Sequence, residues 1–376
     1  MGGFETCIRY AFYNARVKTW DVIVVGGGII GLSLAISLRK RGASVLVLEK
    51  GEPGREASHA AAGMLADHGD EFPPALAPLA RASAQMYPEF VHELQDESGI
   101  NVDLRDAGTI LLHEGEPESH GTLPTPLSEL EPALRSSRPA SYLKERSVNP
   151  RLLFAAAWEA AKHRGVDISS GAEVTEILVE NGKVLGVKTN KTTYQAKTLV
   201  NCAGAWAGQF PPVIVPTRPV KGQILSVIGG PVLRHVVRAP EIYLVPRSDG
   251  PIVIGGTLED AGYNKRVLPE TIQRLLQLAT QLVPSLAKAQ IHEAWAGLRP
   301  ATSDKLPILG ETSIGGYYAA TGHFRDGILL APITAHVMTE LILDNTCSHD
   351  LSAFSLERFS TNRSGDLTYS VLVARK

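Results

Sequence analysis

The chain has 376 residues, 44% of them apolar and 20% charged, and 37 Lys+Arg against 39 Asp+Glu leave a formal charge of -2. That length asks for two lobes around sizeable cores, and the near-neutral balance argues against a nucleic-acid or membrane-surface partner. Cys7, Cys202 and Cys347 are too far apart for a metal or redox motif, and Met1 to Thr19 holds no apolar run long enough for a signal peptide or a span, so residues 1–19 read as an extension of a cytoplasmic protein.

From Val22 to Val25 an apolar strand runs into Gly26-x-Gly28-x-x-Gly31, and an Ala- and Leu-rich helix follows from Ile29 to about Arg41. Gly26 permits the tight turn, Gly28 admits a pyrophosphate to the backbone, and Gly31 lets helix and strand pack closely, with the helix N-terminus facing the phosphates. A second strand, Ser44 to Leu48, ends at Glu49, 18 residues after Gly31, near the spacing of the acidic residue that takes ribose hydroxyls. The small residues from Ser58 to Met64 would let the chain pass close to a flat ligand.

A helical pattern covers Leu79 to Ser98, and a strand follows at Thr109 to Leu112. Glu114 to Pro139 reads as loop with one short helix. Asn149 caps an amphipathic helix that starts at Pro150 and closes at Gly165. Strands are expected at Ala172–Glu180, Lys183–Thr189 and Thr198–Ala203, the first two joined by the Asn181-Gly182 turn. Further β segments fall at Gly222–Val227, Ile242–Val245 and Ile252–Ile254, before a helix at Pro269–Leu282. Without crossover helices these β segments predict an antiparallel sheet in a second lobe.

The fold class is therefore α/β, a discontinuous Rossmann-like dinucleotide domain with an α+β substrate domain. The expected division is 20–100, 148–215 and 300–360 for the former, 101–147 and 216–299 for the latter, and 361–376 as a tail. Small-ligand sites form between lobes, and carboxylates favour arginine forks. Arg299, after Trp295 and before Pro300, and Arg325, in a turn before Gly327 and the apolar Ile328–Ile342 helix, are the candidates; Tyr243 could add a hydroxyl. His323 suits a backbone or ligand contact better than a catalytic base. GxGxxG by itself leaves NAD open.

The stretches GGGIIG, SHAAAGML (58–65), PVKGQ (219–223), YLVPR (243–247), WAGLRPAT (295–302) and GHFRDGILLAP (322–332) together resemble the D-amino-acid oxidase superfamily, and within it the glycine-oxidase branch, from Trp20 to about Phe359. The resemblance implies non-covalent FAD, with Gly26, Gly28, Ile29, Ile30 and Gly31 at the phosphates and Glu49 with Lys50 at the adenosine ribose. It puts Ala57, Ser58, Ala62, Gly63 and Met64 along the flavin and Val174 on the adenine side. His323, Phe324, Arg325, Asp326, Gly327, Ile328 and Leu329 would wrap the isoalloxazine.

On the same basis Arg299 would clamp a substrate carboxylate, Arg325 would support it and Tyr243 would complete the pocket. The implied partners are a small amino acid and molecular oxygen, and the implied assembly a homo-oligomer, a tetramer. The implied reaction is oxidative deamination of glycine, sarcosine or small D-amino acids with hydrogen peroxide released, in service of thiamine thiazole synthesis. A dehydrogenase for D-amino acids or N-substituted glycines, using another acceptor, stays open beside it, as does a non-catalytic flavin-binding protein. Glu241 and Leu258 depart from the family pattern at pocket-flanking positions, where histidine and methionine are expected.

Overall fold

The computed structural model describes residues 18–67, 73–115 and 123–360; the expected extension, Cys7 and the tail lie wholly or almost wholly outside them. The first of two large sheets runs, edge to edge, through Ile308–Glu311, Tyr317–Thr321, Thr193–Asn201, Thr19–Val25, Val45–Glu49 and Asp167–Ser170. All neighbours are parallel except the Ile308–Glu311 edge, and a hairpin, Val174–Glu180 with Lys183–Thr189, attaches antiparallel to Thr193–Asn201.

The inner strands are apolar on both faces, as a parallel sheet covered on both sides requires. Val22 and Val24 pack under the helices Ile29–Lys40, Ala77–Ser98, Pro150–His163 and Gly327–Asp344. Ile23 and Val25 face the opposite core, beneath the hairpin. The Gly327–Asp344 helix is long and apolar enough to cross a membrane by composition, yet most of it is buried in this core. Asn149 caps the Pro150–His163 helix by accepting from the Arg151 and Leu152 N–H groups, and Asn149→Ala would cost about 1 kcal/mol.

The second sheet orders Gln290–Ala301, Arg218–Ile228, Ile252–Gly255, Ile242–Pro246, Val236–Ala239, Thr109–Leu112 and Ala140–Leu143. The expected segments pair antiparallel, and one pairing not anticipated from sequence runs the other way: Val236–Ala239 is parallel to Thr109–Leu112. The two are far apart in sequence, so no hairpin constrains their direction. The Pro269–Leu282 helix covers one face through Ile272, Leu275 and Ala279. The other face turns Tyr243, Ile224 and Trp295 toward Ala62 and Met64. Strands at Asp167–Ser170, Val236–Ala239, Ala140–Leu143 and Tyr317–Thr321 carried too little alternation to be read from sequence.

Candidate active site

Register places the nucleotide end. Val25 is level with Leu48 on one side and Asn201 on the other, so Gly26, Glu49 and Cys202 emerge together at the carboxyl edge of three parallel strands. In open α/β sheets that edge is where ligands bind. Gly26 has φ +111°, and a Cβ there would fall 2.4 Å from the Cys202 carbonyl oxygen; one on Gly31 would fall 2.1 Å from the Gly26 oxygen. Gly28 brings no capping side chain, and the first turn holds no acidic residue. The helix start thus opens into the cleft with its positive end uncompensated, and the Ile29 N–H donates to Ser58 Oγ at 3.0 Å.

Glu49 is held by both oxygens, from the Gly27 N–H at 2.8 Å and the Gly51 N–H at 2.9 Å. Lys50 sits with its ammonium 3.5 Å from the centre of the Trp206 ring, and burial lowers its pKa. The same cleft is lined by Ile29, Ile30, Ala57, Ser58, Ala62, Gly63, Met64 and Val174, then by His323, Phe324, Arg325, Gly327 and Ile328, and ends at Tyr243 and Arg299. Among the residues singled out from sequence, Gly31, Asp326 and Leu329 lie outside this lining. Gly31 packs on the turn, and Leu329 is buried in the helical core.

The far end of the cleft is built from side chains on the second sheet. Val220 pairs with Arg299 and Gly222 with Gly297 on the two long strands. A Cβ on Gly222 would strike the Arg299 guanidinium at 2.2 Å, and one on Gly255 would strike the Tyr243 hydroxyl at 2.4 Å. Glycine at both positions makes room for the two polar groups. Arg299 donates from Nη1 to the Thr257 carbonyl at 2.9 Å, and among the described residues it forms no ion pair with a carboxylate. Burial lowers its pKa, against the Tyr243 hydroxyl, while burial raises that of Tyr243.

Arg325 departs from the partly buried setting expected of it: it is exposed, at the rim of the cleft. Phe324 before it holds φ +47°, its N–H bonded to the Pro300 carbonyl at 2.8 Å, which turns the chain past the end of the Arg299 strand. His323 is buried against Thr334, 3.1 Å away, and burial pushes its imidazole down to about 3. A neutral ring fits the contact role expected of it rather than general-base chemistry. Burial pushes Asp326 up to about 6, opposed by Arg325 and Arg238.

Sequence reasoning missed Arg247. Only 9% exposed, it donates to the carbonyls of Ala62 at 2.7 Å and Val148 at 3.0 Å, fastening the segment beside the cleft from behind. Burial lowers its pKa to about 10. Its place in YLVPR, four residues after Tyr243 and so on the same face by strand alternation, was a usable signal. Trp206 and Gln209 also line the cleft, just after the central strand that ends at Asn201. Glu241 is taken by Arg138, both oxygens accepting at 2.9 Å, and is not among the residues that line the cleft. Leu258 is 56% exposed.

This is the architecture of a two-sheet flavoprotein. Its cradle suits FAD: an open helix start at Gly28, a tethered carboxylate at Glu49, and a continuous cleft from there to Arg299 and Tyr243. The chain belongs to the DAO family of FAD dependent oxidoreductases, whose match spans residues 21–341. It is 37% identical over 368 residues to the bifunctional protein ThiO/ThiG of Trichormus variabilis, 92% of this chain and 56% of that one. It spans about half the length of the bifunctional relatives it matches.

It is also 34% identical over 362 residues to the glycine oxidase of Bacillus licheniformis, 91% of this chain and 98% of that one. The crystal structure of glycine oxidase from Geobacillus kaustophilus superposes with a TM-score of 0.85 at 34% identity, over 90% of this chain and 99% of that one.

Proposed function

We infer that the protein oxidises glycine and related small amines such as sarcosine with oxygen, giving glyoxylate, ammonia or an amine, and hydrogen peroxide. The observation that carries this is Arg299: a cation in the cleft that donates to a backbone carbonyl and, among the described residues, forms no ion pair, beside the Tyr243 hydroxyl. Such a charge calls for an anionic partner, and the fork matches a substrate carboxylate. Arg325 at the rim would add a second positive charge.

Bound FAD would supply the redox chemistry, as the acceptor for a hydride from the substrate Cα and the route of those electrons to oxygen. The residues here do the rest. Gly28, Ile29, Ile30 and Glu49 would hold the nucleotide half, while Ala62, Gly63 and Met64, in the segment Arg247 fastens at Ala62, would keep a flat surface against the ring. Arg299 and Tyr243 fix the carboxylate and so aim the Cα–H. His323 stays neutral and moves no proton. Water then hydrolyses the released imine outside the machinery described. Relatives named ThiO/ThiG and glycine oxidase support the amine and a role in supplying a glycine imine for thiamine thiazole synthesis.

The test is anaerobic mixing with glycine, sarcosine, D-alanine and D-proline, watching flavin bleaching, then air and a peroxide assay. Bleaching by glycine or sarcosine with stoichiometric peroxide is expected. Bleaching without peroxide would replace the oxidase with a dehydrogenase, and no bleaching by any of the four would remove the small-amine reading.

A further inference from the structure

The loop from Thr257 to Leu268 leaves the second sheet after Ile252–Gly255 and returns at the Pro269–Leu282 helix. Its base is closed by one buried side chain. Gln223, fully shielded from solvent, donates from Nε2 to Glu259 at 2.8 Å and accepts from the Leu268 N–H at 2.7 Å; its own N–H donates to Thr257 Oγ1 at 2.9 Å. Buried Lys221 pairs with Glu259 at 3.2 Å. Ends tied this closely define an Ω-like loop that behaves as one unit.

Its tip reaches the other sheet. The Tyr263 hydroxyl donates to the Ala205 carbonyl at 2.9 Å and accepts from Gln209 at 3.2 Å, and the ring lies on Trp206 at 5.4 Å between centroids. Lys265 pairs with Glu56 at 2.9 Å. Ala205, Trp206, Gln209 and Glu56 all line the nucleotide half of the cleft. At the other end of the same loop, the Thr257 carbonyl holds Arg299 at 2.9 Å. One loop therefore touches the wall of the cofactor cleft with its tip and the candidate carboxylate clamp with its base.

We propose that residues 257–268 form a strap that closes over the nucleotide half of the FAD site and, through Thr257, sets the guanidinium of Arg299, with Tyr263 as its latch. Unlatching releases the tip, loosens the hold on the cofactor, and lets the Thr257 carbonyl wander from the position that aims Arg299. Tyr263 is thus a positioning residue for a pocket it does not touch. The clamp half of this proposal rests on the carboxylate reading of Arg299.

The test uses full-length apoprotein of the wild type, Tyr263→Ala and Tyr263→Phe, with the exposed Val232→Ser as control. FAD is titrated by flavin fluorescence, and at saturating FAD acetate, a minimal carboxylate, is titrated by the shift of the flavin spectrum. Losing the ring contact with Trp206 and both hydrogen bonds of the hydroxyl in Tyr263→Ala should raise the FAD dissociation constant about tenfold, and that for acetate severalfold. Tyr263→Phe, which keeps the stack, should fall between, and Val232→Ser should match the wild type.

An unchanged FAD constant in Tyr263→Ala overturns the latch, and a weakened FAD site with unchanged acetate binding overturns the coupling to Arg299. Acetate that fails to bind even the wild type overturns the carboxylate reading and the coupling with it; the latch is read separately by the FAD titration.

Discussion

The two ends of the cleft are made by different means. At the nucleotide end the ligand surface is mostly backbone: glycines without Cβ atoms, a helix start, and a carboxylate pinned by N–H groups at a strand terminus. At the proposed substrate end it is side chains standing off a sheet face, with Arg299 and Tyr243 fitted over Gly222 and Gly255. Backbone sites are rigid and tolerate little; side-chain sites are tunable. The first end should fail outright under small changes, and the second should change its constants while the fold survives.

The sharpest way to break that contrast is Gly31→Val. A Cβ 2.1 Å from the Gly26 oxygen cannot be absorbed without moving the turn, so the variant should purify without flavin or fail to fold, read from the ratio of flavin to protein absorbance. A yellow, stable Gly31→Val would show the turn to be adaptable. Arg299→Ala comes next. It should keep its flavin and raise the Michaelis constant for glycine, because truncating one buried charged contact costs about 2–5 kcal/mol. Arg299→Lys should rescue only in part, since the fork is lost. Wild-type kinetics in Arg299→Ala would move the carboxylate elsewhere.

A third probe sits between the two ends. Asp326 is held at about 6 against an ordinary value of 3.8. A raised folded-state pKa favours the folded state below the unfolded value, and that advantage is lost as pH rises through about 6. Asp326→Asn should therefore leave stability unchanged at pH near 4 and raise it by about 2 kcal/mol at pH 8, read as melting temperature against pH. Equal melting curves at both values would mean the carboxyl is hydrated in solution. The smallest effect belongs to Glu241→Ala, which removes a surface pair with Arg138 and should cost no more than about 1 kcal/mol and leave substrate constants alone. A changed preference among amines would return Glu241 to the pocket.

The same contrast explains what was legible in the sequence. Gly26, Gly28, Gly31 and Glu49 are readable because a backbone site needs particular residues at particular spacings along one continuous stretch. Arg299 and Arg325 were picked out by their apolar and glycine-rich neighbours, but Arg325 is exposed at the rim, a matter of how the chain turns at Phe324, which no local pattern encodes. The task of Arg247 depends on Ala62 and Val148, 185 and 99 residues away, and the parallel pairing of Val236–Ala239 with Thr109–Leu112 joins segments equally remote. Long-range partnerships of this kind leave no periodicity to read.

The strand Gln290–Ala301 carries one more lesson. At about 3.4 Å per residue its 12 residues extend roughly 40 Å. It forms the edge of the second sheet, brings Trp295 to the Ala60 carbonyl and Gly297 against Ala60, presents Arg299, and at Pro300 accepts the Phe324 N–H from the flank of the first sheet. It acts as a spine nailed down on both sides of the cleft. Clamshell opening would have to tear this spine loose, so entry of reactants and departure of products fall to small excursions of loops at the rim, and turnover should respond to their stiffness more than to any hinge.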